Sequence, residues 1–356
     1  EKLMSGIKNH TKFGIEPKII ARFIPFWNGI DSSLSLRSSI YGGLILLFHI
    51  LLFVVPFIFI IVVFIGRKIL DKILVIVCFL FSGVMLYALE RGNIIIYSFL
   101  FTFLFLLLYD SKNNNMKNFS YLFLALAASL KLYPAIYGLL LLSKHDFKGS
   151  IICFLEFLFL YIACYFLCGF SFATNNFSQL VKFTSTFTHT AQGLNFSMKN
   201  FLLLLAEIFG TLTKKDIKIN IILSIFSKIF VFLAGIFSYV YSREKWRKIA
   251  ALSFLCILIP DVSFLYVLLF LFPALAFFLN KTTENRLDSV YSILFASIIS
   301  IVIIPFQFGN GYYHITGGFV LQMFLVIVFG VLLMSQAIRE KAQKKSSRFF
   351  IDIVTV

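Results

Sequence analysis

A chain of 356 residues that is 60% hydrophobic, 18% aromatic and only 13% charged is excluded from the soluble globular class, in which roughly a quarter of residues are charged. Apolar runs of about 20 residues recur from end to end without strand-like alternation, which excludes an outer-membrane barrel and leaves a polytopic all-α integral membrane protein. The net charge of +16 sits mostly in short loops between those runs, so it reads as a topology signal facing anionic membrane lipid rather than a nucleic-acid surface.

Residues 1–39 mix basic, polar and aromatic side chains, with Pro17 and Pro25 as breakers and Trp27 suited to the headgroup layer. They are expected to form an external or interfacial segment. The chain opens on Glu1, and a further N-terminal helix, truncated or processed away, is expected before it. Residues 40–65 read as the first span, 70–89 as its return, and 94–109 as the next crossing. Residues 119–142 are interrupted by Lys131 and Pro134. Pro134 removes a helix hydrogen bond and disfavours helical geometry at Tyr133, so two short helices meeting in a hairpin are preferred to one span with a lysine at mid-membrane. Residues 151–170 cross, placing Glu156 near the cytoplasmic interface. Residues 171–197 form a long polar loop, and 198–212 an amphipathic helix lying in the interface. Residues 219–241 cross; 249–280 are broken at Pro260-Asp261; 289–306 cross; Gln307 to Thr316 make a polar loop; 317–337 cross last.

With both breaks read as hairpins, the basic loops at 66–72, 110–118, 143–149, 242–248, 281–287 and 338–348 share one side, the cytoplasm. About eleven membrane segments result, some too short to span straight. The organisation expected is an N-terminal segment 1–39, a transmembrane domain 40–338 and a basic cytoplasmic tail 339–356. Cys78, Cys153, Cys164, Cys168 and Cys256 all lie in apolar runs, with no spacing that suggests a disulfide, a metal site or a cofactor.

Five polar clusters fall on the side opposite the basic loops: Glu90-Arg91-Gly92-Asn93; Lys131 with Tyr133; Gln192 to Ser197, with Asn195; Asp261 with Tyr266; and Asn310 to His314. Isolated charges at membrane depth cost roughly 2.5–3.5 kcal/mol each and by default mark function. Cations at the membrane surface suit a lipid-linked phosphate, amides and hydroxyls suit a sugar, and a carboxylate suits deprotonation of an attacking hydroxyl. Three of the clusters also have a plainer explanation. Glu90 and Arg91 form a helix-end ion pair at the headgroups, Asp261 after Pro260 caps the next helix, and His314 is an ordinary loop histidine.

The Glu90-Arg91-Gly92-Asn93 knot, followed by Ala127-Ala128-Ser129-Leu130-Lys131-Leu132-Tyr133-Pro134, resembles family 87 of the GT-C glycosyltransferases. Asn195-Phe196-Ser197-Met198 and Pro260-Asp261-Val262-Ser263-Phe264-Leu265-Tyr266 resemble two later and looser elements of that family. The resemblance runs from about residue 40 to the C-terminus. It implies a GT-C-like fold and an inverting enzyme that moves a hexose, commonly mannose, from a polyprenyl-phosphate donor to a lipid-linked or cell-envelope acceptor on the non-cytoplasmic face. It also implies Arg91 and Lys131 near the donor phosphate, with Glu90 and Asn93 ordering that site, and no nucleotide sugar. The remaining substrate-binding candidates are Tyr133, Gln192, Asn195, Ser197, Asp261, Tyr266 and His314. The family's catalytic carboxylate lies in a first external loop after a helix that this chain lacks, and its Tyr-Pro-Pro element is replaced by Ser39-Ile40-Tyr41-Gly42-Gly43. Asp31 is then the remaining candidate base. Richness in Lys, Asn, Ile and Phe suggests an AT-rich bacterial genome and hence a plasma membrane, and the basic loops put the active site outside and the C-terminus in the cytoplasm. An envelope polysaccharide polymerase and a lipid or solute transporter are the alternatives. The first is disfavoured by a 171–197 loop without arginine, the second by breaks without matching sequence.

Overall fold

The computed structural model describes residues 50–66, 68–90, 93–168, 195–208, 217–282, 285–300, 307–308 and 315–354. A π-helical turn at Ile50–Val54 runs into α1 (Val55–Phe64), followed by α2 (Ile69–Leu80), α3 (Gly83–Glu90), α4 (Ile95–Leu108) and α5 (Asn114–Leu130). A 3-10 helix at Tyr133–Gly138 leads into α6 (Leu139–Ser143), then α7 (Phe147–Cys168), α8 (Met198–Ile208), α9 (Ile217–Tyr241) and α10 (Lys245–Leu258). A second 3-10 helix, Leu265–Leu271, leads into α11 (Phe272–Leu279). It is followed by α12 (Asp288–Ile299), a two-residue strand pair β1 (Gln307–Phe308) and β2 (Ile315–Thr316), and α13 (Gly317–Val354). The antiparallel strands pair Gln307 with Thr316 and Phe308 with Ile315, so the polar loop expected there begins and ends in a ladder.

Both interrupted segments turn back, and ion pairs at one end of the bundle establish this. Lys117 at the start of α5 meets Asp146, after α6, at 2.7 Å, and Tyr121 donates to the same carboxylate at 2.6 Å. The two ends of the first interrupted segment are therefore neighbours. At the second, Trp246 in the first turn of α10 packs edge-on against Phe278 near the end of α11, with ring centroids 5.0 Å apart. Asp110 joins the two regions by pairing with Lys144 and lying 3.7 Å from Lys245. Burial alone would raise the Asp146 carboxyl. Hydrogen bonds from Lys117, Tyr121 and the Gly149 N–H hold it below the ordinary carboxylate value instead.

The same end carries a buried network. Arg247, only 2% exposed, pairs with Glu340 of α13 and with Glu244 at 3.2 Å. The Arg243 N–H also donates to Glu340 at 2.7 Å. Asn280 accepts from the Gly66 N–H at 3.1 Å and donates to the Phe64 carbonyl at 2.8 Å, satisfying the C-terminus of α1.

The core is aromatic. Phe272 lies 3.9 Å from Phe79 and 5.4 Å from Phe57, ring to ring, and Phe79 lies 5.5 Å from Phe99. In lipid there is little hydrophobic drive between helices, so such packing and close backbone approach must hold the bundle. Gly149 and Gly235 provide that approach. A Cβ at Gly149 would stand 2.5 Å from the Tyr121 ring, and one at Gly235 would stand 2.3 Å from Leu255.

One expectation needs correcting. The return at 70–89 is not one helix: α2 and α3 are bent by 53°, because Ser82 ends the first and caps the second, its Oγ accepting from the Met85 N–H at 3.2 Å. α13 continues helical through the basic residues beyond 338 to Val354. Glu156 lies nine residues into α7, about 13 Å from its basic end. Its Oε2 is buried without a hydrogen bond among the described residues. Two described helices are long and apolar enough to cross a membrane, Ile222–Tyr241 and Gly317–Gln343, with a third if α2 and α3 form one span.

Candidate functional site

At the end opposite the basic loops, the chain's interruptions converge. The first is the hairpin tip. Lys131 leaves α5 in extended geometry, its N–H still bonded to the Ala127 carbonyl, and Pro134 opens the 3-10 helix. A 3-10 segment leaves backbone groups that lipid cannot satisfy. Here neighbouring helices supply partners: the Cys256 thiol donates to the Tyr133 carbonyl at 3.4 Å, and the Tyr239 hydroxyl donates to the Leu139 carbonyl at 2.8 Å. Tyr137 and Ser253 hydroxyls bond at 2.8 Å, and Ser253 caps the Phe270 carbonyl at 2.7 Å. One serine thus links both 3-10 helices.

The second interruption, residues 259–264, is held by Asn195 and Ser197. Asn195 Nδ2 donates to the Asp261 carbonyl at 3.1 Å, while its Oδ1 accepts from the Ser263 and Ser197 N–H groups at 2.9 and 3.1 Å. The Phe196 N–H donates to the Ser263 carbonyl at 2.6 Å. Ser197 Oγ donates to the Asp261 carbonyl at 3.2 Å. The same oxygen accepts from the Asn200 N–H at 3.1 Å, which caps α8. Three consecutive residues, 195–197, thereby satisfy backbone groups in the break after Pro260.

The Asp261 carboxylate is fully engaged. Ser224 donates to Oδ1 at 2.8 Å, and Lys228 meets Oδ2 at 2.9 Å; the two donors are one turn apart on α9. Burial would raise this carboxyl, but the Lys228 and Ser224 hydrogen bonds, with the charges of Lys228 and Lys199, hold it below its ordinary value.

The third interruption joins α3 to α4. Asn93 returns its N–H to the Ala88 carbonyl at 3.1 Å, and its Oδ1 accepts from the Ile95 N–H at 3.1 Å, so it caps α4. From α3, Tyr87 stacks on Tyr266 with centroids 6.0 Å apart. Tyr133 lies within electrostatic range of Tyr266 and Cys256. Tyr266 thus joins the second break to the helix that leads into the third.

Of the candidates read from sequence, the structure brings Asn93, Tyr133, Asn195, Ser197, Asp261 and Tyr266 to this end, with Lys131 at the hairpin tip. Glu90 is the last residue of α3, and its side chain lies outside the described set. Asp31, Arg91, Gln192 and His314 also fall outside the described residues. The sequence reading missed Tyr87, Ser224, Lys228 and Lys199. The signal for Lys228 was available: it interrupts an apolar run as Lys131 does. Among the described residues no three His, Cys, Asp or Glu side chains gather in a way that would hold a metal.

Lys131, half-buried, makes no hydrogen bond or ion pair with a described residue, whereas Lys228 is matched by Asp261. An unmatched cation beside tyrosines, at the lip of a membrane bundle, is suited to an anionic group brought by a lipid. The model of glycosyltransferase family 87 matches residues 33–270, about two thirds of the chain, and so includes all three breaks. No curated protein and no solved structure matches it.

Proposed function

The chain belongs to glycosyltransferase family 87, and from that membership we propose that this membrane glycosyltransferase takes a hexose, mannose in the first instance, from a polyprenyl phosphate. The acceptor is a lipid-linked or cell-envelope glycan. The reaction runs on the non-cytoplasmic face of a bacterial plasma membrane, with the C-terminus of α13 in the cytoplasm. The observation that carries the reading is the unmatched Lys131 at a hairpin tip, on the end of the bundle away from the ion-paired basic loops.

In this mechanism an acceptor hydroxyl attacks the anomeric carbon as the bond to the phosphate oxygen breaks, inverting the sugar. The electron pair leaves with the polyprenyl phosphate, where Lys131 and Arg91 stabilise the growing charge. The hydroxyl proton passes to a carboxylate, for which Asp31 and Glu90 are the candidates. Tyr133 and Tyr266 form a wall against which a sugar ring can lie. Asn93, Asn195 and Ser197 act by fixing the breaks, since their side chains are spent on backbone groups.

The test is transfer from radiolabelled polyprenyl-phosphate mannose in membranes containing the full chain. Label should pass to a lipid or glycan acceptor, and Lys131→Met should lower the rate by about 10²-fold or more, the usual cost of losing one donor to a developing oxyanion. A Lys131→Met protein with wild-type turnover would remove the phosphate role. A wild-type protein inert with polyprenyl-phosphate hexoses and a panel of acceptors would overturn the donor class.

A further inference from the structure

Away from Lys131, a second arrangement pairs positive charge with an apolar cavity. Between α9, α10 and α13 runs a crevice of about 90 Å³, lined by Met198, Val231, Gly235, Leu258, Gly330 and Val331 among others. Val331 is largely exposed, so the crevice opens toward lipid. Charge lies along the helix faces that lead into it. Ser224, Lys228, Val231 and Gly235 follow one stripe of α9 at helical spacing, so the face that pairs with Asp261 continues directly into the crevice. On α10, Leu258 precedes the break that carries Asp261.

The charge at this end is unbalanced. Asp261 answers Lys228, but Lys199, next to the crevice-lining Met198, lies in the field of both. Lys199 is only 5% exposed and makes no hydrogen bond or ion pair with a described residue. Two ammonium groups against one carboxylate leave a buried positive charge that needs an anion. The crevice is not part of the Lys131 site. Ser253 and Cys256, which hold the first 3-10 helix, lie on one face of α10. Ala251, Phe254 and Leu258, which line the crevice, lie on the opposite face by helical spacing.

We propose that this is a binding site for an anionic glycerophospholipid of the bilayer, its phosphate on Lys199 and Lys228 and one acyl chain in the crevice. Charge complementarity selects the headgroup, and the apolar lining selects the chain. The site is independent of the sugar donor, so it does not rest on the proposed reaction.

The experiment is native mass spectrometry of the full chain released from nanodiscs of equimolar phosphatidylglycerol and phosphatidylcholine. The wild type should retain phosphatidylglycerol preferentially. Lys199→Gln should cut that preference about fivefold, the usual effect of one lysine on anionic lipid. Gly330→Leu should reduce retention of both lipids by filling the crevice. A Cβ at Gly330 meets nothing within 4 Å, so this variant does not depend on repacking. Equal retention of the two lipids by the wild type, retention unchanged in both variants, or a retained mass that is an isoprenoid phosphate rather than a glycerophospholipid would each overturn the assignment.

Discussion

The two interrupted hairpins share a backbone plan and differ in how they treat charge. Each has a straight helix, a break at a proline, a 3-10 helix and a short return: α5 to α6 in the first, α10 to α11 in the second. In each, side chains from neighbouring helices satisfy the freed backbone, and Ser253 serves both. Yet the first carries Lys131 with no described anion beside it, while the second carries Asp261 with two donors on its carboxylate. A charge at a membrane break with no described partner is a candidate for a ligand. A matched charge is part of the frame.

The comparison breaks most sharply if the two charges respond alike to removal. Lys131→Met should lose about 10²-fold or more in transfer with its thermal unfolding in detergent unchanged, because no described partner is stranded. Asp261→Asn should do the reverse, lowering stability by roughly 1–3 kcal/mol, the range for hydrogen bonds to a charged group, and reducing transfer only in proportion to the folded fraction. If Asp261→Asn abolishes transfer in a protein that melts normally, the second hairpin carries chemistry as well. A double-mutant cycle of Asp261→Asn with Lys228→Met should show a coupling between about 0.5 and 3 kcal/mol. Additivity would mean that the pair is not a structural contact.

A smaller effect should sharpen what the hairpins share. Ser253→Ala removes the hydroxyl that caps the Phe270 carbonyl and meets Tyr137. A cost of about 1–2 kcal/mol is expected, because the carbonyl keeps only the long bond from the Tyr137 hydroxyl, at 3.4 Å. Tyr137→Phe should cost less, since Ser253 keeps the Phe270 carbonyl. Equal costs, read by chemical denaturation in micelles, would place the linkage on the tyrosine instead.

How these features stand in the sequence follows from their physics. Both breaks were legible because proline and charge interrupt long apolar runs, and few other arrangements tolerate that in lipid. Asn195 and Ser197 were legible as polar residues but not in their role: their side chains bond a backbone more than 60 residues away, and no local pattern encodes that. Lys228 was legible as a charge inside an apolar run, but its role was not, its partner lying 33 residues on. The bend at Ser82-Gly83 was missed because a serine cap inside an apolar run leaves no mark in hydropathy. Tyr87 was passed over because an aromatic in an apolar helix reads as packing; only its stacking on Tyr266 connects it to the site.

The smallest expected effect separates the hairpins by acid. Neighbouring donors hold the Asp261 carboxyl below its ordinary value of 3.8. A group depressed in the folded state contributes stability that is complete above its unfolded pKa and fades as pH falls through the folded one. The Leu130–Pro134 tip contains no carboxylate. Other acids titrate in the same window, among them Asp110 and Asp146, so the informative quantity is the stability difference between wild type and Asp261→Asn. That difference should be constant from neutral pH down to the ordinary carboxylate value, then shrink toward zero below it as the wild-type carboxyl takes up its proton. The expected change is no larger than the cost of Asp261→Asn itself, because Asp261 keeps partial contact with solvent. A difference that closes well above pH 5 would mean that the carboxylate is protonated near neutrality, and Asp261 would then belong with the reactive groups rather than with the frame.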